Sequence, residues 1–517
     1  MPFDASSDTP VFVVGAGIMG TGIAQVAAQA GHPVRLFDAR DGAAESARSK
    51  LASTLDGLAA KGKIAPDEAS AVAARVASAS SLAEAASAGI VIEAIVEELE
   101  AKRALFRDLE QIVGEGTILA SNTSSISITA LAKGLGVPGR LVGMHFFNPV
   151  PLMKLVEVVS GLATDAAVAD AIAVLAQRWG KTAVHARSTP GFIVNRIARP
   201  YYAEALALLH ERLAEPAAID ACLRGAGFRM GPCELMDLIG HDTNFAVTQS
   251  VFEANFGDKR YQPSLVQREM VDGGLLGRKS GRGFFAYGAG ASAPPPPGAP
   301  FETPAVPAGA IVALHGRGVA VERWTARLEA AAVRFEADPG SRWNGLQTDA
   351  GELRLTDGRS ATHLAAEVGM RDLALFDLAI ATGGGAPGTP LALAFAASAS
   401  PAWRTQAAEW LRIAGWQPEP IGDSPGLVVA RTVAMLVNEG ADAVHQGVCS
   451  AEGADLAMKL GVAYPAGPFE FLDRWQARAI ATLLDHLDAH YRGERYRVSP
   501  GLRDRACLAQ FGAPVAA

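Results

Sequence analysis

Cysteine is scarce in this sequence, with four in 517 residues. Cys222, Cys233, Cys449 and Cys507 are too far apart for metal-ligand spacing and too few to staple so long a chain. That excludes a disulfide scaffold and a cysteine metal centre, and suits a reducing cytoplasm. Excess positive charge is also missing. The formal net charge is -8 and the pI is near 5.8, so no broad basic field is expected to hold nucleic acid or an anionic membrane. Any anionic ligand must be gripped locally. The start of the chain lacks a basic region ahead of an apolar stretch, so no secretory signal is expected. Formal charge is absent from residues 9–34, a run long enough to cross a bilayer, which takes about 20 apolar residues. Five glycines, with Gln25, Gln29 and His32, interrupt it and exclude a span.

At about 150 residues per domain, the length implies three or four domains. Apolar strand candidates at 11–14, 34–38, 90–94, 118–121, 141–145, 155–159 and 182–186 alternate with helical stretches. This pattern predicts an α/β fold with a Rossmann-like, doubly wound parallel sheet over residues 1–187. Helix formers dominate from residue 189, so an all-α domain is expected over 188–288, followed by a Pro/Ala/Gly-rich linker at 289–309.

The second half repeats the first imperfectly. Ser424-Pro425-Gly426-Leu427-Val428-Val429-Ala430-Arg431 echoes Thr189-Pro190-Gly191-Phe192-Ile193-Val194-Asn195-Arg196 at an offset of 235 (425 minus 190). Gly467-Pro468 with Asp473, and Arg495-Tyr496, likewise echo Gly231-Pro232 with Asp237 and Arg260-Tyr261. A second all-α domain is therefore expected at 421–512. Residues 310–420 read as a degenerate Rossmann-like segment, with His315-Gly316-Arg317-Gly318 after an apolar run but Val321 at the third glycine position. Gly383-Gly384-Gly385 is expected to be a flexible loop. Ala430 stands where the first copy has Asn195 and cannot hydrogen-bond a substrate, so one active site per chain is expected.

Gly15-Ala16-Gly17-Ile18-Met19-Gly20 lies between the first strand and a helix. Such glycines allow a tight turn and let backbone N–H groups and the helix N-terminus approach a pyrophosphate. Asp38 follows 23 residues after Gly15 (38 minus 15), at the end of the next strand, where an acid accepts hydrogen bonds from the adenosine ribose. Its carboxylate would repel a 2'-phosphate, which favours NAD over NADP, although Arg35 and Arg40 stand close by in sequence.

Two further motifs end strands on the side where doubly wound sheets bind ligands. They are Ser121-Asn122-Thr123-Ser124-Ser125 and Gly143-Met144-His145-Phe146-Phe147-Asn148-Pro149. Dehydrogenating an alcohol requires a group that takes the hydroxyl proton, and His145 is the best-placed of ten histidines. Glu157, on the adjoining strand, could orient its ring.

These motifs, with Glu97, Lys102, Pro151, Lys154 and Thr189 to Arg196, occur in an order that resembles the L-3-hydroxyacyl-CoA dehydrogenase family over residues 8–288. The resemblance implies NAD-dependent oxidation of (S)-3-hydroxyacyl-CoA, with His145 as general base and Glu157 as its partner. It places Ser124 and Asn195 on the substrate oxygens, with Asn148 near them. Gly15, Gly17, Ile18, Met19, Gly20, Asp38, Glu97, Lys102 and Asn122 would surround NAD. A helical arm carrying Ser53, Lys61 and Lys63 would face CoA. The implied partners are an acyl-CoA and, through the helical domains, either a second subunit or the other helical domain of the same chain. The tandem layout resembles the branch acting on 3-hydroxyadipyl-CoA in phenylacetate breakdown, as well as on 3-hydroxybutyryl-CoA and longer chains. Alternatives are a 3-hydroxyisobutyrate or 6-phosphogluconate type dehydrogenase, which would need a lysine between residues 189 and 212 that is absent here, and a non-catalytic protein similar to lambda-crystallin.

Overall fold

The computed structural model describes residues 6, 8–288 and 301–509, which fall into two compact units. Most of the expected linker, including Pro294 to Pro300, lies outside the described residues. No helix among the described residues is long and apolar enough to cross a membrane.

The first unit comprises the chain up to Arg196 together with residues 446–462. Its strands are β1 (Val11–Val14), β2 (Val34–Phe37), β3 (Val76–Ser78), β4 (Ile90–Glu93), β5 (Ile118–Ser121), β6 (Leu141–Phe146), β7 (Leu155–Ser160) and β8 (Thr182–Arg187). They form one sheet in the order β3-β2-β1-β4-β5-β6-β7-β8. β1, β4, β5 and β6 are buried at every residue, which is why their sequences are mainly apolar without alternation, with the polar Glu93, Ser121 and His145 confined to their carboxyl ends. The order reverses between β1 and β4, and the crevice at their carboxyl ends is where such a sheet binds ligands.

The sheet departs from an all-parallel one at a single place, where β7 runs antiparallel to β6. Only eight residues, 147–154, separate the two strands, and a parallel crossover needs a dozen or more. The short β3 at the sheet edge is too brief to leave a pattern in the sequence.

Helix Ala451–Val462, from far along the chain, packs on β7 and β8. Glycines make the close approach possible. A Cβ at Gly453 would lie 2.9 Å from Val184, and one at Gly461 2.8 Å from Leu155. The edge strand β8 is partly sealed by Arg187 N–H, which donates to Val448 O at 2.9 Å.

The second unit comprises residues 197–445 and 463–517. Its strands are β9 (Val312–His315), β10 (Phe335–Asp338), β11 (Gly345–Thr348), β12 (Glu352–Leu355), β13 (Leu373–Phe376), β14 (Thr389–Phe395) and β15 (Trp416–Pro420), in the order β10-β9-β11-β12-β13-β14-β15. β11 is antiparallel to both neighbours and β13 to β14. The triple glycine is not a free loop, because it enters a short 3-10 turn, Thr382–Gly384, and Trp416 Nε1 donates to Gly384 O at 2.8 Å.

The helices of the second unit reproduce the contact just described. Helix Pro216–Gly225 packs on β14, with a Cβ at Gly225 only 2.7 Å from Pro390 O. Helix Arg199–His210 packs against helix Val429–His445. Between them the fully buried Glu204 accepts from Arg431 Nε at 2.9 Å, Arg495 at 2.8 Å and Tyr496 OH at 3.0 Å. The repeated turns also match in backbone, with φ of 77° and 47° at Gly191 and Phe192 and 71° and 52° at Gly426 and Leu427.

Candidate active site

The turn after β1 is shaped by its glycines. Gly15 has φ +106°, and a Cβ there would fall 2.4 Å from Ala94 O. A Cβ at Gly20 would fall 1.8 Å from Gly15 O, so the third glycine lets helix Ile18–Gln29 approach the strand. A Cβ at Gly17 would meet nothing within 4 Å. The turn therefore offers an open backbone cradle at the helix N-terminus, which fits a dinucleotide phosphate. Ile18, 79 % exposed, borders it, and Met19 is half-buried.

Asp38 closes the cradle from β2. Its carboxylate accepts from Ala16 N–H at 2.8 Å and from Arg40 Nε and Nη2 at 3.0 and 3.1 Å. Those Arg40 hydrogen bonds hold its pKa down at about 2.

At the next strand ends, Glu93 and Lys102 form a buried ion pair that reaches the partly exposed Glu97. Glu93, fully buried, accepts from Lys102 Nζ at 2.5 Å, Ser121 Oγ at 2.6 Å and Ile95 N–H at 2.7 Å. Lys102 is 1 % exposed and also pairs with Glu97 at 3.2 Å. Glu97 in turn gathers the polar run after β5. Its Oε1 accepts from Thr123 Oγ1 at 2.7 Å, Ser124 N–H at 2.9 Å and Ser125 N–H at 3.1 Å, and more distantly from Ser124 Oγ at 3.3 Å. Burial would raise the pKa of Glu97, but Lys102 and these donors hold it below the ordinary value. Asn122 Oδ1 accepts from Phe146 N–H at 2.8 Å, tying the same run to the end of β6.

His145 and Glu157 stand directly opposite in the β6–β7 register. His145 Nδ1 and Glu157 Oε2 are 2.6 Å apart, and Glu157 is fully buried. The other carboxylate oxygen accepts from Ile193 N–H at 3.0 Å and Val194 N–H at 2.9 Å, at the turn that leads into Asn195. One carboxylate thus links the imidazole to the segment carrying the amide. The rings of Phe147 and Phe192 flank His145 at 4.5 and 5.9 Å between centroids. A neutral imidazole hydrogen-bonded to a carboxylate through Nδ1 carries its proton there and leaves Nε2 basic.

Asn148 is exposed beyond β6. Ser53 is exposed on helix Ala43–Ala60, with Lys61 and Lys63 just beyond its end. No described contact joins these four residues to the His145 cluster. Glu93 is the site residue that sequence reasoning missed. An acid ending the apolar run Ile90-Val91-Ile92, with Ser121 ending the adjacent strand and Lys102 nine residues on, was the available signal.

The second unit shows what became of this arrangement in the repeat. Glu157 pairs with Val184 and Ala392 with Glu419, again 235 residues apart (419 minus 184), so Ala392 occupies the Glu157 position. Asp377, whose N–H donates to Ala392 O, occupies that of His145. Asp377 is fully buried and accepts from Val428, Val429 and Ala430 N–H at 2.9, 2.7 and 2.9 Å. The second copy keeps a carboxylate for the turn but moves it to the opposite strand, and no imidazole remains.

Family models agree with this layout. The model described as 3-hydroxyacyl-CoA dehydrogenase, NAD binding domain, matches residues 10–189, and the one for its C-terminal domain matches 191–287 and again 426–515. A third, the 3-hydroxybutyryl-CoA dehydrogenase reduced Rossmann-fold domain, matches 353–425. The chain belongs to the 3-hydroxyacyl-CoA dehydrogenase family. It is an enzyme of that family, with NAD as its cofactor. Relatives of this dehydrogenase come in two lengths. It is 41 % identical over 501 residues to the 3-hydroxyadipyl-CoA dehydrogenase of Escherichia coli (strain K12), covering 96 % of this chain and 97 % of that protein. It is 45 % identical over 278 residues to the probable 3-hydroxybutyryl-CoA dehydrogenase of Bacillus subtilis (strain 168), covering 54 % of this chain and 96 % of that one. The crystal structure of 3-hydroxybutyryl-CoA dehydrogenase from Escherichia coli K12 matches with a TM-score of 0.85 at 39 % identity, over 98 % of this chain and all of that one.

Proposed function

We propose that this enzyme oxidises the 3-hydroxyl of (S)-3-hydroxyacyl-CoA thioesters at one site per chain, with His145 as general base and Glu157 as the group that orients and stabilises it. The contact of 2.6 Å between His145 Nδ1 and Glu157 Oε2 carries this reading. It presents Nε2 to a substrate hydroxyl and places a negative charge where the imidazolium will form. NAD, when bound, supplies the hydride acceptor. Ser124 and Asn195 donate hydrogen bonds to the hydroxyl oxygen and the thioester carbonyl, worth a few kcal/mol where charge develops. Asn148 is assigned to substrate binding as well. The Glu93-Lys102-Glu97 chain holds the loop that carries Ser124 and Asn122, so Lys102 acts through Glu97 and positions the cofactor side of the site.

Ser53 and Lys61 are assigned to the CoA tail, because they lie exposed on or next to a helical pair that can present a cation to a phosphate. For the acyl group, the full-length relative named for 3-hydroxyadipyl-CoA supports a dicarboxylic substrate, as in phenylacetate breakdown. Replacing His145 with Gln tests the reading. The kcat with 3-hydroxybutyryl-CoA should fall by about 10²- to 10⁴-fold, while NADH binding, measured by fluorescence, stays unchanged. Retained turnover would overturn it. Comparing kcat/KM for 3-hydroxybutyryl-, 3-hydroxyhexanoyl- and 3-hydroxyadipyl-CoA tests the acyl assignment.

A further inference from the structure

The second unit contains a cavity of about 1050 Å³ at the carboxyl ends of β9, β12 and β13. Six arginines line it: Arg317, Arg342, Arg354, Arg359, Arg474 and Arg478. Asp357 is its one carboxylate. Arg354 is held by Glu352, and Arg359 by Asp357 and Glu367. The guanidinium groups of Arg342, Arg474 and Arg478 take part in no hydrogen bond or ion pair among the described residues. The three unpaired guanidinium groups are exposed, so water and salt screen their mutual repulsion, and they are available together to an anion in the cavity.

The turn after β9 holds its first two N–H groups internally, with Arg317 N–H donating to Asn344 Oδ1 at 3.1 Å, and opens at the next residue onto a helix N-terminus. Gly316 N–H donates to Asp338 O at 2.9 Å, as Gly15 N–H donates to Phe37 O at 2.7 Å in the first unit. Gly318, with φ +118°, opens helix Val319–Ala330, and a Cβ there would meet nothing within 4 Å, as at Gly17. The turn therefore keeps an open cradle even though Val321 replaces the third glycine. Apolar side chains also line the cavity, from Leu355, Leu364, Phe376, Leu378 and Ile380. Pro339 follows β10 where Asp38 follows β2, so the acid that would take a ribose in the first unit has no counterpart here.

We propose that this cavity binds a phosphorylated nucleoside, with its phosphates on the arginines and the helix N-terminus at Gly318 and its base on the apolar side chains. Its volume lies just above the usual range of small-ligand sites, about 300 to 1,000 Å³, and exceeds what a lone phosphate requires. Without an imidazole or a donor amide at the equivalent strand ends, the site binds its ligand and does not transform it.

Equilibrium dialysis of the full chain with radiolabelled ADP tests the proposal, without NAD, which is itself a phosphorylated nucleoside and would compete for the cavity. Of the ADP bound, one equivalent per chain should belong to the cavity. In the triple variant Arg342→Gln, Arg474→Gln, Arg478→Gln its affinity should fall by at least about tenfold. The three side chains are exposed, so an unchanged melting temperature and an unchanged KM for NAD should accompany the loss. Gly318→Val should also weaken ADP, by filling the cradle and by straining a backbone held at φ +118°. Absence of binding at about 1 mM ADP, or binding that both variants leave intact, would overturn the site. Inorganic pyrophosphate binding as tightly as ADP would overturn the nucleoside part.

Discussion

The carboxylate of Glu157 serves two groups at once, fixing the His145 ring and capping the turn before Asn195. Glu157→Gln keeps the shape but turns an acceptor into a mixed donor and acceptor. It should lower kcat by roughly 10²-fold or more with little change in KM for acyl-CoA, read from steady-state kinetics. We propose that Asp38 sets cofactor choice, by a different balance. It stays ionised at about pKa 2 because Arg40 donates to it, and removing it leaves Arg40 free to meet a 2'-phosphate. In Asp38→Ala, kcat/KM for NADPH relative to NADH should rise by about tenfold or more. Asp377 makes a stability prediction. Burial pushes its pKa up to about 6 from 3.8, despite four backbone N–H donors. Its folded form therefore prefers the proton. The stabilisation is complete below about pH 3.8 and disappears as pH rises through about 6. Asp220, also pushed up to about 6, adds to the same window. Asp377→Asn should flatten that part of the curve of denaturation midpoint against pH.

Among the elements, the glycine turn after β1 separates folding from binding. Gly20→Ala drives a methyl into Gly15 O and should destabilise the fold by about 1–3 kcal/mol in chemical denaturation. Gly17→Ala meets no protein atom and has an ordinary φ of -75°, so it should keep its melting temperature and lose NADH affinity instead. The strands of the first sheet other than β3, this turn, and the placing of His145 and Glu157 on adjoining strands were legible in the sequence because each rests on local pattern: apolar runs, glycine spacing and strand ends. What stayed hidden depends on contacts between distant segments. The Glu97 clamp on Ser124 spans 27 residues, and nothing local marks its acid as different from Glu98 or Glu100. The antiparallel β7 could have been inferred from the short connection carrying Pro149 and Pro151, since no helix fits there. The conversion of the second copy to Asp377 opposite Ala392 left only an absence in the letters. Reading it required the strand register.

At the scale of the molecule, the repeat is joined by exchange. Helix Ala451–Val462 of the second copy covers β7 and β8, while Pro216–Gly225 of the first covers β14. A fragment of residues 1–288 uncovers Leu155 and Val184 and retains the helix that could cover them on another copy. Light scattering should find it dimeric, and a monomeric, fully active fragment would refute the exchange as a functional requirement. Glu204→Ala, which strands Arg431 and Arg495 beside the paired helices, should cost about 3–5 kcal/mol of stability. Because helix Arg199–His210 and its partner Val429–His445 share one polypeptide, their encounter is unimolecular. Separate subunits part as they are diluted, whereas a tether fixes the local concentration whatever the volume. This contact is therefore indifferent to how much enzyme a cell makes, and specific activity should hold constant across several decades of dilution.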